Sequence, residues 1–349
     1  MSEPQERQEV YGAGIGLGSV VAQETGTELG ELVEIKARGY WEQVWLRFRR
    51  DKIAIASGIF IVLLVLVAAF GAPLAAALLG HGPNDIYSVY ATKDFIPVGP
   101  WTRVEDVLHG GTTLFILGAD STVGHDEFLR LLYGARVSLE VAVLSTIGVM
   151  TIGVLLGSIA GYYRGWVDTV ISRVTEITMA FPYLLFLIAL ASTVGSRLNN
   201  VTLGIFGQGV ITLVVVFSAF GWFYPARIVR AVVLSLREKE FVEAARMVGA
   251  SDSRIIRSHI LPHLVAPVVV YSTLTVAQFV LAEAGLSFLG VGIKLPTASW
   301  GNLLSEAPNF YTSQPWLMVW PGLAVLLTTL AFNLLGDGLR DAFDPRSSH

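Results

Sequence analysis

Few side chains in this sequence are placed to do chemistry, and most of those few sit against long apolar runs. His259 and His263 stand four residues apart, the spacing of a helical metal pair. Pro262 falls between them and no third ligand is near, so no metal site is assigned. Glu176, Glu283 and Asn333 lie within or at the edge of apolar stretches. A charge at membrane depth costs on the order of 3 kcal/mol, so such a group faces a cavity or a partner. There is no His-Glu-x-x-His, no Gly-x-Ser-x-Gly and no close pair of carboxylates within an apolar run, so no catalytic residue is assigned. None of the five lysines follows a glycine, which excludes a P-loop for ATP. With no cysteine, disulfides, Cys-ligated zinc, iron–sulfur clusters and thiol catalysis are excluded too.

The elements that must position these groups are membrane helices. Hydrophobic residues make up 53% of the 349 and charged residues only 15%, against roughly 25% charged in soluble domains. The charges are also segregated. None occurs between Lys52 and Asp85, nor across 141–163, 177–196, 198–226, 258–282 or 307–336. Each gap can hold the roughly 20 apolar residues of a spanning helix. The spacing predicts spans near 53–74, 139–161, 174–194, 209–229, 265–288 and 315–335. Pro182 falls inside the third, where proline marks a bend. A net charge of −4 is too small and scattered for a nucleic-acid partner.

Residues 1–37 mix Gly, Glu and Gln without periodicity and read as a flexible tail. The first apolar run begins too late for a cleaved signal peptide and reads as a retained span. In 38–52, Trp41, Val44, Trp45 and Phe48 share one helical face beside Arg47, Arg49, Arg50 and Lys52. That pattern suits a helix lying in the lipid headgroups before the first span; the alternative is an amphipathic helix packed on protein. Residues 75–138, with Pro83, Pro97 and Pro100, are too long for a hairpin and form an insertion between spans one and two.

Orientation follows from the basic residues. With the N-terminus inside, 18 of the 24 lysines and arginines fall in cytoplasmic segments, the sign that the positive-inside rule requires. Both termini (the last segment being 341–349) are then cytoplasmic, and 75–138 is extracytoplasmic.

This topology puts the connection between spans four and five, 235–262, in the cytoplasm. It reads Glu243-Ala244-Ala245-Arg246-Met247-Val248-Gly249, then nine residues, then His259-Ile260-Leu261-Pro262. Phe241, Ala244, Ala245 and Val248 share a face at helical spacing. Gly249 supplies the positive φ that ends a helix, Ser251 and Asp252 start the next one, and Pro262 is expected to end it before the fifth span. Small alanines on an exposed helix let another protein's backbone approach.

The segment resembles the EAA loop of ABC-importer permeases: Glu-Ala-Ala, three residues, Gly, nine residues, Ile-x-Leu-Pro. Glu243, Ala244, Ala245, Gly249, Leu261 and Pro262 match it, and His259 stands where the pattern has Ile. Ser258 to His263 is similar to the dipeptide/oligopeptide branch. Further blocks resemble the C-type permease subunit of that branch. One runs Gly118-Ala119-Asp120 through Gly124-His125-Asp126 to Arg130–Leu139, with His125 where the block usually has Arg. Others are Glu283–Gly290 with Ser299-Trp300-Gly301, and Ala331–Asp341 to Arg346.

The resemblance implies an all-α integral membrane protein of about six spans in a type I ABC-importer permease arrangement, within a permease core at 139–340. It further implies a homologous B-type permease partner, two ATPase subunits that bind ATP and Mg, an extracytoplasmic binding protein and an inner-membrane location. The chain itself would carry no cofactor and would not be an enzyme. Glu243 and Gly249 would couple to one ATPase. The cargo would be a peptide, with nickel complexes or oligosaccharides as alternatives. Glu283 would line the translocation path near the outer side or hydrogen-bond the partner permease, with Asn333 treated alike. Glu176 would contact substrate or pair locally with Arg173.

Overall fold

The computed structural model describes residues 39–344 except 89, 90, 95, 107 and 202–208. The expected tail at 1–37 and the C-terminal tail beyond 344 lie outside the described residues. By length and composition, five helices among the described residues can cross a membrane, and a bent pair adds a sixth crossing.

Helix α1 (Tyr40–Phe48) precedes α2 (Lys52–Leu66), which continues through a π-helical turn into α3 (Ala72–Leu79). Asp51 starts α2 by accepting hydrogen bonds from the Ile53 and Ala54 amides at 2.9 and 3.1 Å, two of the donors a helix start leaves unpaired. This span is the most apolar, with a mean hydropathy of 3.0, and the least buried. The combination fits a peripheral helix that turns its apolar sides to lipid. Helix α1 does not lie free of the protein. Val44 is buried, Trp41 meets Phe343 edge-on at 6.2 Å, and Arg47 Nη1 donates to the Asp344 carbonyl at 2.7 Å. Trp45, 60% exposed, faces outward. The amphipathic helix therefore packs on protein with one side and keeps an aromatic for the surroundings. These contacts also bring the two ends of the described chain together.

Between α3 and the helix that starts at Glu127, the insertion is not helical. It holds β1 (Thr92–Lys93) paired antiparallel with β2 (Ile96–Pro97), and β3 (Thr102–Glu105) paired antiparallel with β4 (Thr112–Phe115). The all-α expectation holds for the spans but not here, where prolines and positive-φ glycines (Gly110, Gly111) favour tight turns. Tyr87, Ala91, Val104, Phe115 and Ala119 form its core. The His81 ring stacks on Phe115 at 5.6 Å, and its Nε2 lies 3.0 Å from Asp126 Oδ2. Asp126 also caps the next helix through the Phe128 amide at 2.8 Å. One carboxylate thus joins the hairpins to the membrane bundle. Beside it, Asp120 holds Arg130 at 2.9 Å and His125 Nδ1 at 3.1 Å.

Helix α4 (Glu127–Tyr163) starts at that cap and is the axis of the bundle. It begins twelve residues before the span expected at 139 because Asp126 supplies a helix start outside the apolar run. Helices α5 (Gly165–Met179) and α6 (Tyr183–Val201) replace the expected third span and meet at an 86° bend just before and at Pro182, whose ring excludes a straight continuation. Helices α7 (Val210–Gly221) and α8 (Phe223–Leu236) form the fourth span. Along α4, a Cβ on Gly153 would come 2.7 Å from Pro225, one on Gly157 2.5 Å from the Ala226 carbonyl and one on Gly161 2.9 Å from the Arg230 carbonyl. This spacing of four lets two membrane helices touch backbone to backbone.

The connection between the fourth and fifth spans folds as α9 (Glu240–Met247) and α10 (Asp252–Ile255). A π-helical turn, Ile256–Ile260, leads directly into α11 (Leu261–Phe288). Pro262 therefore does not end a helix, as its ring would in a regular α-helical interior. It occupies the first turn of α11, where a missing amide is tolerated, and the wide turn before it gives the ring space. Helices α12 (Trp300–Glu306), capped by Ser299 and Asn302 reciprocally, and α13 (Trp316–Phe343) complete the fold.

Candidate functional site

The loop carrying Glu243, Ala244, Ala245 and Gly249 is built on a buried foot. Val242, Ile255 and Ile260 have no exposed surface and pack with Val229, Val233, Tyr162 and Leu264, joined by half-buried Ala245 and Leu261. Val242 was absent from the face expected from sequence, and it is the anchor. Its spacing of three from Ala245 is the signal that could have found it. The expected face of Phe241, Ala244, Ala245 and Val248 is divided: Ala245 turns inward, whereas Val248 is 89% exposed. Phe241 stacks on the His263 ring at 5.1 Å.

Gly249 ends α9 at φ +83. Its amide donates to the Arg246 carbonyl at 2.9 Å, and the next amide, of Ala250, reaches back to Ala245 at 3.0 Å. These paired bonds are the Schellman ending, which requires the left-handed conformation that glycine adopts without strain. The turn presents Glu243, Ala244, Met247 and Val248 as an exposed surface, with Met247 81% exposed. Two apolar side chains at a helix end, so far out of the core, fit insertion into another protein.

Three contacts tie this surface to the bundle. The Tyr162 hydroxyl at the end of α4 donates to Asp252 Oδ1 at 2.7 Å. The Arg246 guanidinium lies 5.3 Å from the Tyr162 ring centre, a cation–π arrangement. Arg164 pairs with Glu238, whose carboxyl it holds below its ordinary pKa.

The remaining candidates are dispersed. Glu283 is fully buried and accepts hydrogen bonds from Ser138 and Ser287, each at 2.7 Å. Ser138 Oγ also receives the Trp300 amide at 3.3 Å, so the carboxyl joins α4, α11 and α12. Asn333 is on the exposed side of α13. Glu176 pairs with Arg173 at 2.7 Å, both well exposed. It also lines a cavity of about 220 Å³ between α4, α5 and α8 with Ser172, Arg227 and Arg230. His263 Nδ1 lies 2.9 Å from the His259 carbonyl. Among the described residues no three potential ligands come together for a metal.

The described residues thus form a bundle of five or six candidate spans that carries an anchored loop with an exposed apolar end. Residues 153–349 match the family described as binding-protein-dependent transport system inner membrane component, and 39–97 match the N-terminal TM domain of oligopeptide transport permease C. The chain belongs to this family of ABC-importer permeases. It is 38% identical over 306 residues to the dipeptide transport system permease protein DppC of Alkalihalophilus pseudofirmus, covering 88% of this chain and 90% of that one. It is 37% identical to the glutathione transport system permease protein GsiD of Pectobacterium atrosepticum, covering 88% and 91%. The inward-facing MetNI methionine ABC transporter is similar in fold, with a TM-score of 0.50 at 18% identity over 62% of this chain and 97% of that one.

Proposed function

We propose that this chain forms half of the transmembrane pathway of an ATP-driven importer of short peptides and receives the ATPase stroke through Glu240–Asp252. The observation that carries this reading is the contrast within α9: Val242 is fully buried while Met247 and Val248 protrude. A rigid foot with an apolar tip transmits force, and a mobile loop would dissipate it. Glu243, Ala244 and Gly249 shape the docking surface, and Leu261 and Pro262 pass its movement into α11. The partners are a homologous B-type permease, two ATPase subunits that hold ATP and Mg, and a binding protein. The basic-residue bias puts both termini and the loop in the cytoplasm and the hairpin insertion outside. Dipeptide and glutathione permeases among the relatives support a peptide cargo.

The test is purification of the assembled complex and measurement of uptake and ATP hydrolysis in vesicles. Glu243→Lys and Gly249→Asp should leave the subunit inserted and uncouple hydrolysis from uptake. Normal uptake by both variants would remove the coupling assignment.

A further inference from the structure

We infer that the groove between α4 and the start of α11 holds an anionic glycerophospholipid of the cytoplasmic leaflet, which braces the coupling loop from the membrane side. The groove has a volume of about 760 Å³. Val154, Leu155 and Ile159 form one wall, and Leu261 and Val268 the other. Between Met150 and Tyr163 it follows about 20 Å of α4 at roughly 1.5 Å per residue. That length matches one leaflet, half of a hydrocarbon core of about 30 Å with its ester layer.

The polar groups lie where such a lipid needs them. Arg257 and Ser253 are at the end of the groove beside the coupling loop, both exposed, and Arg257 forms no ion pair among the described residues. A guanidinium beside a hydroxyl at the inner headgroup level suits a lipid phosphate. About a turn and a half deeper, Ser158 also lines the groove. It is only 3% exposed, and its hydroxyl is buried without a hydrogen-bond partner. A buried hydroxyl needs an acceptor or donor, and the ester carbonyl of a lipid at this depth supplies an acceptor. Arg257 belongs to the π-helical turn Ile256–Ile260, and Ile256 both lines the groove and packs on the cluster that anchors α9. A bound acyl chain would therefore support the segment through which the loop moves α11. An apolar tail with an anionic head fits this arrangement better than a second protein helix, which would leave Arg257 and Ser158 unmatched.

The inference rests on the cytoplasmic placement of the loop. It is tested on the assembled complex in mixed phosphatidylcholine–phosphatidylglycerol nanodiscs by native mass spectrometry of retained lipid. Wild-type complex should retain one phosphatidylglycerol per copy of this chain in preference to phosphatidylcholine. Arg257→Ala should lower that retention about fivefold, the weight of one basic side chain against an anionic lipid. Val154→Trp, which fills the groove, should abolish it. Equal retention of the two lipids, or unchanged retention in both variants, would overturn the assignment. So would a cross-link from Leu155→Cys to the partner permease, because a helix would then occupy the groove. Labelling of Ser253→Cys from the extracytoplasmic side would refute the inner-leaflet placement. Unchanged lipid retention in Arg257→Ala and Val154→Trp, together with uncoupled transport in Glu243→Lys, would sink this inference and leave the proposed coupling standing.

Discussion

The Tyr162 hydroxyl and the Asp252 carboxylate, 90 residues apart in sequence, form a 2.7 Å hydrogen bond between the end of α4 and the start of α10. Asp252 is the first residue of α10, and α4 is the axis of the bundle, so this bond joins the proposed docking loop to that axis. A hydrogen bond to a charged group contributes roughly 1.5–3 kcal/mol, less where water competes. Asp252 is exposed, so about 1 kcal/mol is expected here. Tyr162→Phe should leave insertion and assembly unchanged and lower peptide uptake per ATP hydrolysed several-fold. An unchanged ratio of uptake to hydrolysis in reconstituted vesicles would show that the bond plays no part in coupling.

The close approach of α4 and α8 gives a prediction about stability. A Cβ on Gly157 would lie 2.5 Å from the Ala226 carbonyl, a backbone atom that cannot turn aside. Overpacking of this kind costs typically 1–3 kcal/mol, so Gly157→Leu should lower the Tm of the purified complex markedly. Gly322, around which a Cβ meets nothing within 4 Å, is the control. Gly322→Ala should be neutral or slightly stabilising, as a helical glycine replaced by alanine gains up to about 1 kcal/mol. A Gly157→Leu complex melting with wild type would contradict backbone contact between the two helices.

What was legible in the sequence divides along physical lines. The spans were visible because a bilayer excludes unpaired charge, and six charge-free gaps mark them directly. The Gly249 turn was visible because a positive φ is a single-residue property. The hairpins were not, since β1 and β2 are two residues each and carry no period. Val242 does not stand out from Phe241 and Val248 as the anchor, because a short amphipathic helix does not say which of its apolar residues the protein covers. The Gly153, Gly157 and Gly161 spacing stood in the sequence, but a reading by charge gaps does not weigh it. Pro182 announced a bend without its 86° angle. The serines around Glu283 come from Ser138 and Ser287, and the first of these is 145 residues away, beyond any local pattern.

That serine cluster supports a third prediction. Glu283 has no exposed surface, and its two carboxyl oxygens each take a serine hydroxyl at 2.7 Å. Glu283→Ala would leave both hydroxyls without their acceptor and open a void where α4, α11 and α12 meet. A loss of about 2–4 kcal/mol follows from the unpaired groups and the cavity together. Glu283→Gln keeps the shape and one acceptor and should retain most of the stability. Thermal unfolding of both complexes in detergent separates them. If Ala and Gln were equally mild, the carboxyl would not be a structural joint.

The hairpin insertion should respond to pH through His81. Burial opposes a charge on this ring, but the hydrogen bond and attraction of Asp126, with the Leu79 carbonyl and Asp106 adding to them, raise its pKa above the ordinary 6.5. Thr113 and the Tyr87 and Phe115 rings complete its surroundings. A group with a raised folded pKa contributes stability that is fully present below its unfolded pKa and lost as pH rises through the folded value. The insertion should therefore hold best below about pH 6.5 and loosen above it. Asp106 acts at the other end. Burial raises its pKa, but the His109 amide and ring together lower it below 3.8, so its contribution is present above that pH and lost only in stronger acid. Hydrogen exchange of the β3 and β4 amides, corrected for intrinsic rates, should show greater protection at pH 6 than at pH 8, and His81→Gln should flatten the difference. Equal protection at both pH values in the wild-type complex would remove the ion pair with Asp126 as a source of stability.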